Sequence, residues 1–307
     1  MKVNNILETI GNTPLVKLNN LMDEFGLEAN LYAKVEFFNP GGSVKDRVAY
    51  NMIRKAIDDD DIDLETTIIE ATSGNTGIGL AMVTAALGMQ CILVMPDTMS
   101  IERRKLIEQY GAKLVLTDGK LGMKGTIEKA NELKESIPNS FIPSQFENPN
   151  NPNAHLIATA REILRDLENE VDIFVAGIGT GGTISGVGQL LKLNDLKTRV
   201  IGVEPKDSPL LSEGISGTHK IQGIGANFVP MNYNPGVVDE IITATDEEAI
   251  RASKLLARKE GILAGISSGA ALAKGIELAK LPENKDKNIV VLLPDTGERY
   301  LSTDLFK

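Results

Sequence analysis

Lys45 stands in the stretch Asn39-Pro-Gly-Gly-Ser-Val-Lys-Asp-Arg47, a setting in which an amine can attack a carbonyl. Asn39, Pro40, Gly41 and Gly42 continue neither strand nor helix, so the chain must turn there, and Ser43 is the expected N-cap of the next element. Val44, Val48, Met52 and Ala56 recur every four residues, which predicts a helix with Lys45 in its first turn and off the apolar stripe. The positive end of the helix dipole disfavours an ammonium there, lowers its pKa and favours the neutral amine. Lys45 is therefore a candidate Schiff-base lysine; the alternative is a solvated lysine beside Asp46 and Arg47.

Three glycine-containing turns carry the other polar chemistry. Gly177, Gly179 and Gly182 make a Gly-x-Gly-x-x-Gly pattern between a strand and a helix, with Glu204 ending the next strand. That is the dinucleotide fingerprint, and it makes a nicotinamide-dependent dehydrogenase a serious alternative. Yet Gly179-Thr180-Gly181-Gly182-Thr183 sets two hydroxyls beside consecutive amides at a helix N-terminus, a nest suited to a terminal phosphate monoester. The turn Thr72-Ser73-Gly74-Asn75-Thr76-Gly77 also opens a helix, where its groups suit a carboxylate or ring oxygen, the alternative being a loop that merely caps the helix. In Gly265-Ile266-Ser267-Ser268-Gly269, Ser268 reads as a plain N-cap and Ser267 is left for another role.

These turns need strands and helices to hold them. Leu15 to Leu18 and Leu31 to Phe37 read as strands. After the Lys45 helix and a solvated acidic run, Asp58 to Asp61, strands at Thr67 to Ala71, Cys91 to Met95 and Lys113 to Leu116 alternate with helices Gly77 to Leu87 and Ile101 to Tyr110. Gly88 and Gly111 close those helices. Helix Met123 to Ser136 leads to a Pro- and Asn-rich stretch, Pro138 to Asn153, that reads as a boundary between two lobes. Helix Ala154 to Leu167, strand Asp172 to Ile178, helix Thr183 to Leu193 and strand Arg199 to Glu204 repeat the βαβ logic of a parallel sheet. A long loop, Pro205 to Gly236, exceeds the usual ~12 to 15 residues and suggests function. Helix Asp246 to Lys259, the turn Gly261 to Gly265, helix Ser268 to Lys280 and strand Ile289 to Leu293 complete the chain.

Composition narrows the choice. The 307 residues suggest about two domains on the usual length prior. Asp and Glu number 42 against 32 Lys and Arg, a net charge of -10, and aromatics are 4% with no Trp, so nucleic acid is not expected as a partner. The Met-Lys start lacks a signal-peptide core and no apolar run approaches ~20 residues, so a cytoplasmic location and no membrane partner are expected. One Cys and two His argue against a metal site. Cys91, in the apolar run to Met95, reads as a buried strand residue rather than a nucleophile.

A candidate lysine, a phosphate nest and a serine at a helix start together resemble a pyridoxal-phosphate site. The chain resembles the cysteine synthase (O-acetylserine sulfhydrylase) family of the tryptophan-synthase-β-like, fold type II group. The resemblance rests on Ile10-Gly-Asn-Thr-Pro14, Asn39 to Arg47, Thr72 to Gly77, Pro143-Ser-Gln-Phe146, Gly179 to Thr183, Gly223-Ile-Gly-Ala226, Gly265 to Ala270 and Asp295 to Thr303. It implies an α/β fold of two lobes, each a largely parallel sheet flanked by helices: residues 40–149 as a small mobile lobe with the Thr72–Thr76 substrate loop, and 1–39 with 150–307 as a large lobe with the phosphate nest. It implies pyridoxal 5'-phosphate joined to Lys45, its ring hydroxyl on Asn75, its phosphate on Gly179, Thr180, Gly181, Gly182 and Thr183, and its pyridine nitrogen facing Ser267. Thr72, Ser73, Thr76 and Gln145 would grip the substrate carboxylate.

The implied reaction makes L-cysteine from O-acetyl-L-serine and sulfide through an α-aminoacrylate, releasing acetate. Related alternatives are cystathionine from serine and homocysteine, or sulfide from cysteine. A homodimer is implied, as is the C-terminal tail of serine acetyltransferase as a partner. Asn227 departs from the family, whose members commonly carry glycine there, and bears on the entrance loop and acceptor preference.

Overall fold

The computed structural model describes residues 2–72 and 74–307. Its strands, in chain order, are β1 (Leu15–Lys17), β2 (Asn30–Val35), β3 (Thr67–Ala71), β4 (Cys91–Pro96), β5 (Lys113–Thr117), β6 (Ser140–Phe141), β7 (Ile173–Gly177), β8 (Arg199–Pro205), β9 (Glu240–Ala244) and β10 (Asn288–Leu293). Its α-helices are α1 (Asn19–Phe25), α2 (Lys45–Asp58), α3 (Asn75–Leu87), α4 (Ile101–Gln109), α5 (Gly122–Ser136), α6 (Asn150–Ala154), α7 (Ala160–Asp166), α8 (Gly182–Asn194), α9 (Leu210–Glu213), α10 (Asp246–Glu260) and α11 (Ile266–Ala279). The chain divides into two compact units: one holds the N-terminal residues up to Ile10 with Asn39–Asn151, the other Gly11–Phe38 with Pro152–Lys307.

The first unit is built on a parallel sheet of order β5-β4-β3-β6. All six residues of β4 are buried, which is why its sequence, Cys-Ile-Leu-Val-Met-Pro, lacks the alternation of a half-exposed strand. One face of the sheet, with Ile68, Cys91 and Leu93, packs on Ala49 and Ile53 of α2 and Ile78 of α3. The other, with Ile69, Ile92 and Val94, packs on Ala130 of α5. The α2 stripe is buried as its spacing predicts, at Val48, Met52 and Ala56.

The second unit carries the order β1-β2-β10-β7-β8-β9, parallel except for the β1–β2 pair. Its core joins β2, β7, β8 and β10 to α11 through residues such as Leu31, Val175, Val203, Ala271 and Val291. Lys34 is fully buried on β2; its Nζ lies 2.8 Å from the Glu162 carboxylate and donates to the Thr13 carbonyl at 2.7 Å. The α/β class with largely parallel, helix-flanked sheets is thus borne out.

Several boundaries differ from the sequence reading. Ser43 is not the N-cap: α2 begins at Lys45 with Val44 in the cap position. Ser268 is not a cap either, because α11 starts at Ile266 behind Gly265, which puts Ser268 inside the helix. The helix expected over 154–167 is interrupted by a π-helical turn, His155–Thr159. The long loop contains α9, and β9 after it was not anticipated, although Ile241, Ile242 and Thr243 are the β-branched residues a strand favours.

Candidate active site

In the first unit, Lys45 is the first residue of α2 and is half-buried; its N–H donates to Ser43 Oγ at 3.2 Å. Asp46 and Arg47, the neighbours of Lys45, are buried. The Asp46 carboxylate folds back to accept the Gly41 N–H at 2.6 Å, and a Cβ at Gly41 would stand 2.6 Å from its other oxygen. Glycine at 41 is therefore what lets the turn before Lys45 close. The start of α2 lies against α3, since a Cβ at Gly79, just past the first turn of that helix, would lie 3.0 Å from the Lys45 carbonyl oxygen; Asn75, half-buried, opens α3.

Thr72, Thr76 and Gln145 are brought together. The Thr76 hydroxyl donates to Gln145 Oε1 at 2.5 Å, and Gln145 Nε2 donates to Thr72 Oγ1 at 3.5 Å, all three residues being buried. Ser73 lies outside the described residues. Hydroxyls, a side-chain amide and the N-terminus of α3 gather here, which is chemistry for a carboxylate.

Glu70 is a residue that sequence reasoning missed. Buried at the end of β3, it accepts the Ser144 N–H at 2.9 Å and also a hydrogen bond from the Gln145 backbone. Burial raises its pKa to about 8, against the lowering effect of those two N–H donors. A Glu within the β-branched run Thr67-Ile-Ile-Glu70 was the available signal, because a carboxylate on a strand buried on both faces needs a partner. Burial likewise pushes the Cys91 thiol up to about 12, in keeping with a structural residue and not a nucleophile.

In the second unit, Gly179 to Thr183 form the turn from β7 into α8. Gly181 is the helix N-cap at φ +80°, and a Cβ on it would meet Tyr233 N at 2.7 Å and Tyr233 Cα at 2.8 Å. A Cβ on Gly179 would overlap the Gly223 carbonyl oxygen, so this turn and the Gly223 segment touch through backbone alone. Thr180 Oγ1 accepts the Gly182 N–H at 3.4 Å. Thr183 Oγ1 lies 3.3 Å from His155 Nε2, whose Nδ1 is 3.1 Å from Thr159 Oγ1. Both His155 and Thr159 belong to the π-helical turn, so the local widening of that helix aims a buried imidazole at the nest. Sequence reasoning missed His155, since a π-turn leaves no compositional mark.

Ser267 is buried in the first turn of α11, its hydroxyl oxygen 3.7 Å from where a Cβ on Gly223 would be. The start of α11 is buttressed by Asp295: its backbone carbonyl accepts the Gly265 N–H at 3.0 Å, and its carboxylate accepts the Tyr300 hydroxyl at 2.6 Å. Ser268 Oγ is buried and has no hydrogen-bond partner among the described residues.

The donor set of the nest fits a phosphate dianion: helix N-terminal amides, two hydroxyls, and backbone approach allowed only by glycine. It does not suit a dinucleotide as well. Glu204, the expected ribose partner, is buried with its carboxylate accepting the N–H groups of Leu211 at 2.9 Å and Ser212 at 3.0 Å, and the Ser212 hydroxyl. It caps α9 instead. Asn227, at φ +61°, keeps the left-handed turn a glycine would make, and its Oδ1 accepts the Ser208 hydroxyl at 2.7 Å.

Among the described residues no cluster of His, Cys, Asp and Glu has the geometry of a metal site, and no helix is long and apolar enough to cross a membrane.

The chain belongs to the family of pyridoxal-phosphate dependent enzymes, whose profile matches residues 6–295. It is 57% identical over 307 residues to cysteine synthase B of Campylobacter jejuni, covering 100% of both chains. Among solved structures it is similar to a cysteine synthase from Entamoeba histolytica, with a TM-score of 0.97 and 44% identity, covering 100% of this chain and 91% of that one. It is also similar to a hydrogen sulfide-producing enzyme from Fusobacterium nucleatum, with a TM-score of 0.93 and 47% identity over 98% of this chain and 99% of that one. The resemblance read from the sequence is borne out, and the dehydrogenase alternative is set aside.

Proposed function

We propose that this chain makes L-cysteine from O-acetyl-L-serine and sulfide, releasing acetate, with pyridoxal 5'-phosphate as cofactor. The observation that carries this reading is the 57% identity to a cysteine synthase over the full length of both chains. The geometry within each unit supports it: hydroxyls and an amide suited to a carboxylate in the first, and a nest suited to a phosphate in the second. Pyridoxal phosphate, when bound, supplies an electron sink that makes the substrate Cα proton acidic and lets acetate depart from Cβ.

The protein's own residues do the rest. Lys45 would be the residue that holds the cofactor and, as a neutral amine, would take the proton from the substrate Cα. Asn75 would donate to the cofactor's ring hydroxyl oxygen. Gly179, Thr180, Gly181, Gly182 and Thr183 would hold the phosphate, with His155 orienting the Thr183 hydroxyl. Ser267 would serve the pyridine nitrogen as a neutral hydrogen-bond partner, one that does not promote its protonation as a carboxylate would. Thr72, Ser73, Thr76 and Gln145 bind the substrate carboxylate and so place its Cα before Lys45. Sulfide would take the place of acetate at Cβ, and Lys45 would return the proton to Cα.

In this reading residues 40–149 form the mobile lobe that carries the carboxylate-binding loop, and the active protein is a cytoplasmic homodimer. The C-terminal carboxylate of serine acetyltransferase competes for the same hydroxyls and amide. A second reading, release of sulfide from cysteine, is favoured by the likeness to the Fusobacterium enzyme. One experiment separates them. Product is followed with O-acetylserine plus sulfide, with cysteine alone, and with serine plus homocysteine. The proposal requires the first pair to be preferred in kcat/KM; preference for cysteine alone establishes the second reading in its place.

A further inference from the structure

Glu70 is a buried ionisable residue to which the proposed chemistry gives no task. Strand pairing between β3 and β6 ends at Ile68–Phe141, and beyond it the chain turns away from the sheet. Glu70 then takes over from the ladder: its side-chain carboxyl, instead of a backbone carbonyl, accepts the Ser144 N–H at 2.9 Å and a backbone hydrogen bond from Gln145. Ser144 sits at φ +56°, in the left-handed region that a serine occupies only when its surroundings hold it there. The Ser144 carbonyl in turn accepts the N–H groups of Glu147 at 2.9 Å and Asn148 at 3.0 Å, and Asn151 Nδ2 donates to the Gln145 carbonyl at 2.7 Å. The peptide carrying Gln145 is thus fixed from its carbonyl side by neighbouring turn residues. On its N–H side, Glu70 is what holds it to the sheet.

We infer that Glu70 is a positioning residue for Gln145, its carboxyl pinning the Ser144–Gln145 backbone so that the Gln145 amide stays against Thr76 and Thr72 and meets the carboxylate of the amino-acid substrate. This rests on the proposed role of Gln145. Acceptance of the two N–H groups is the function, so a group that accepts without charge serves as well. Glutamine has the same reach, and the two lone pairs of its one amide oxygen are available to the two N–H groups. Aspartate, one methylene shorter, does not reach Ser144.

The test uses the holoenzyme with Glu70→Gln, Glu70→Asp and Glu70→Leu, with Gln145→Ala alongside. In Glu70→Asp and Glu70→Leu the KM for O-acetylserine rises about tenfold or more, the range expected when buried N–H donors lose their acceptor, while kcat and cofactor content stay within about twofold. Glu70→Gln keeps both constants within about twofold of the parent. Hydrogen exchange at the Ser144 and Gln145 amides accelerates in Glu70→Asp and Glu70→Leu and stays slow in Glu70→Gln. Should Glu70→Leu fail to fold, the contrast between Asp and Gln carries the test.

A KM that rises equally in Glu70→Gln overturns the positioning role, as does unchanged exchange at the two amides in Glu70→Asp. If Gln145→Ala raises KM and Glu70→Asp does not, the role of Glu70 fails and that of Gln145 stands. If Gln145→Ala leaves KM unchanged, the carboxylate reading fails and the inference with it. In the Gln145→Ala background, Glu70→Asp adds no further rise in KM, since both changes act through one amide.

Discussion

Gly181→Ala tests whether the turn into α8 is the phosphate site. At φ +80° an alanine costs about 1 kcal/mol, and its Cβ would stand 2.7 Å from Tyr233 N, 2.8 Å from Cα and 2.9 Å from Cβ. Ordinary contact begins near 3.4 Å, so the loop or the Tyr233 backbone must give by about 0.7 Å. If the turn yields, its amides move by that amount, and a hydrogen bond of about 2.9 Å becomes one of about 3.6 Å, too long to count. Losing one hydrogen bond to a charged group costs about 1.5–3 kcal/mol, or roughly ten- to 150-fold in Kd. The assay is titration of apoprotein with pyridoxal phosphate, followed by visible absorbance, with thermal melting in parallel. Gly88→Ala is the control: Gly88 closes α3 at φ +73° with no atom within 4 Å of an added Cβ, so it loses about 1 kcal/mol of stability and no cofactor affinity. Equal Kd values for Gly181→Ala and the parent protein refute the assignment.

Three further outcomes are expected. Lys45→Ala should lower turnover by at least ~10² to 10⁴, and borohydride, which fixes the cofactor to the lysine that carries it, should label Lys45 in the parent peptide map; near-normal turnover would remove Lys45 from the mechanism. Ser267→Asp should retain the cofactor yet turn over more slowly, because a carboxylate raises the pKa of the pyridine nitrogen it faces; parent-like rates and spectra would leave Ser267 as a structural residue. For stability, Glu70 has a folded pKa of about 8, above its usual value of 4.5, so the folded state binds its proton more tightly than the unfolded state. Its stabilisation is full below about pH 4.5 and is lost as pH rises through 8; urea unfolding at pH 5 and 8 should show a fall that Glu70→Gln lacks, and parallel curves would contradict this.

The parallel sheets were legible in the sequence because β4, β7 and β10 are apolar runs of strand length between amphipathic or glycine-closed helices. The helix starts were less so. A serine before a helix suggests a cap, but the Ser43 carbonyl and hydroxyl take the Asp46 and Lys45 amides from one residue further out, and Ser268 is drawn into α11 because Gly265 already serves as its cap. Motif residues on short turns were visible because their types are restricted: Gly181 by its φ, Asn75 and Thr76 by the helix they open. The distant supports of those turns were not, since nothing local ties Glu70 to Ser144, 74 residues away, or His155 to Thr183. Such contacts are set by topology alone.

The pairing of β2 with β10 joins residues 258 positions apart, and β10 is also the strand that connects β2 to β7. During synthesis at about 5–20 residues per second, β2 emerges some 13 to 50 s before its parallel partner exists. Meanwhile its only sheet neighbour is β1, three residues long, which leaves one edge of an apolar strand without backbone partners. The first unit faces no such delay, because all the strands of its sheet lie between Thr67 and Phe141. The nascent chain therefore passes through a stage in which the sheet of the unit that carries Lys45, Thr72 and Gln145 is finished while the strand order that sets Gly179 to Thr183 still lacks its centre. That stage is where a chaperone, or a like strand on a neighbouring ribosome, would find its target.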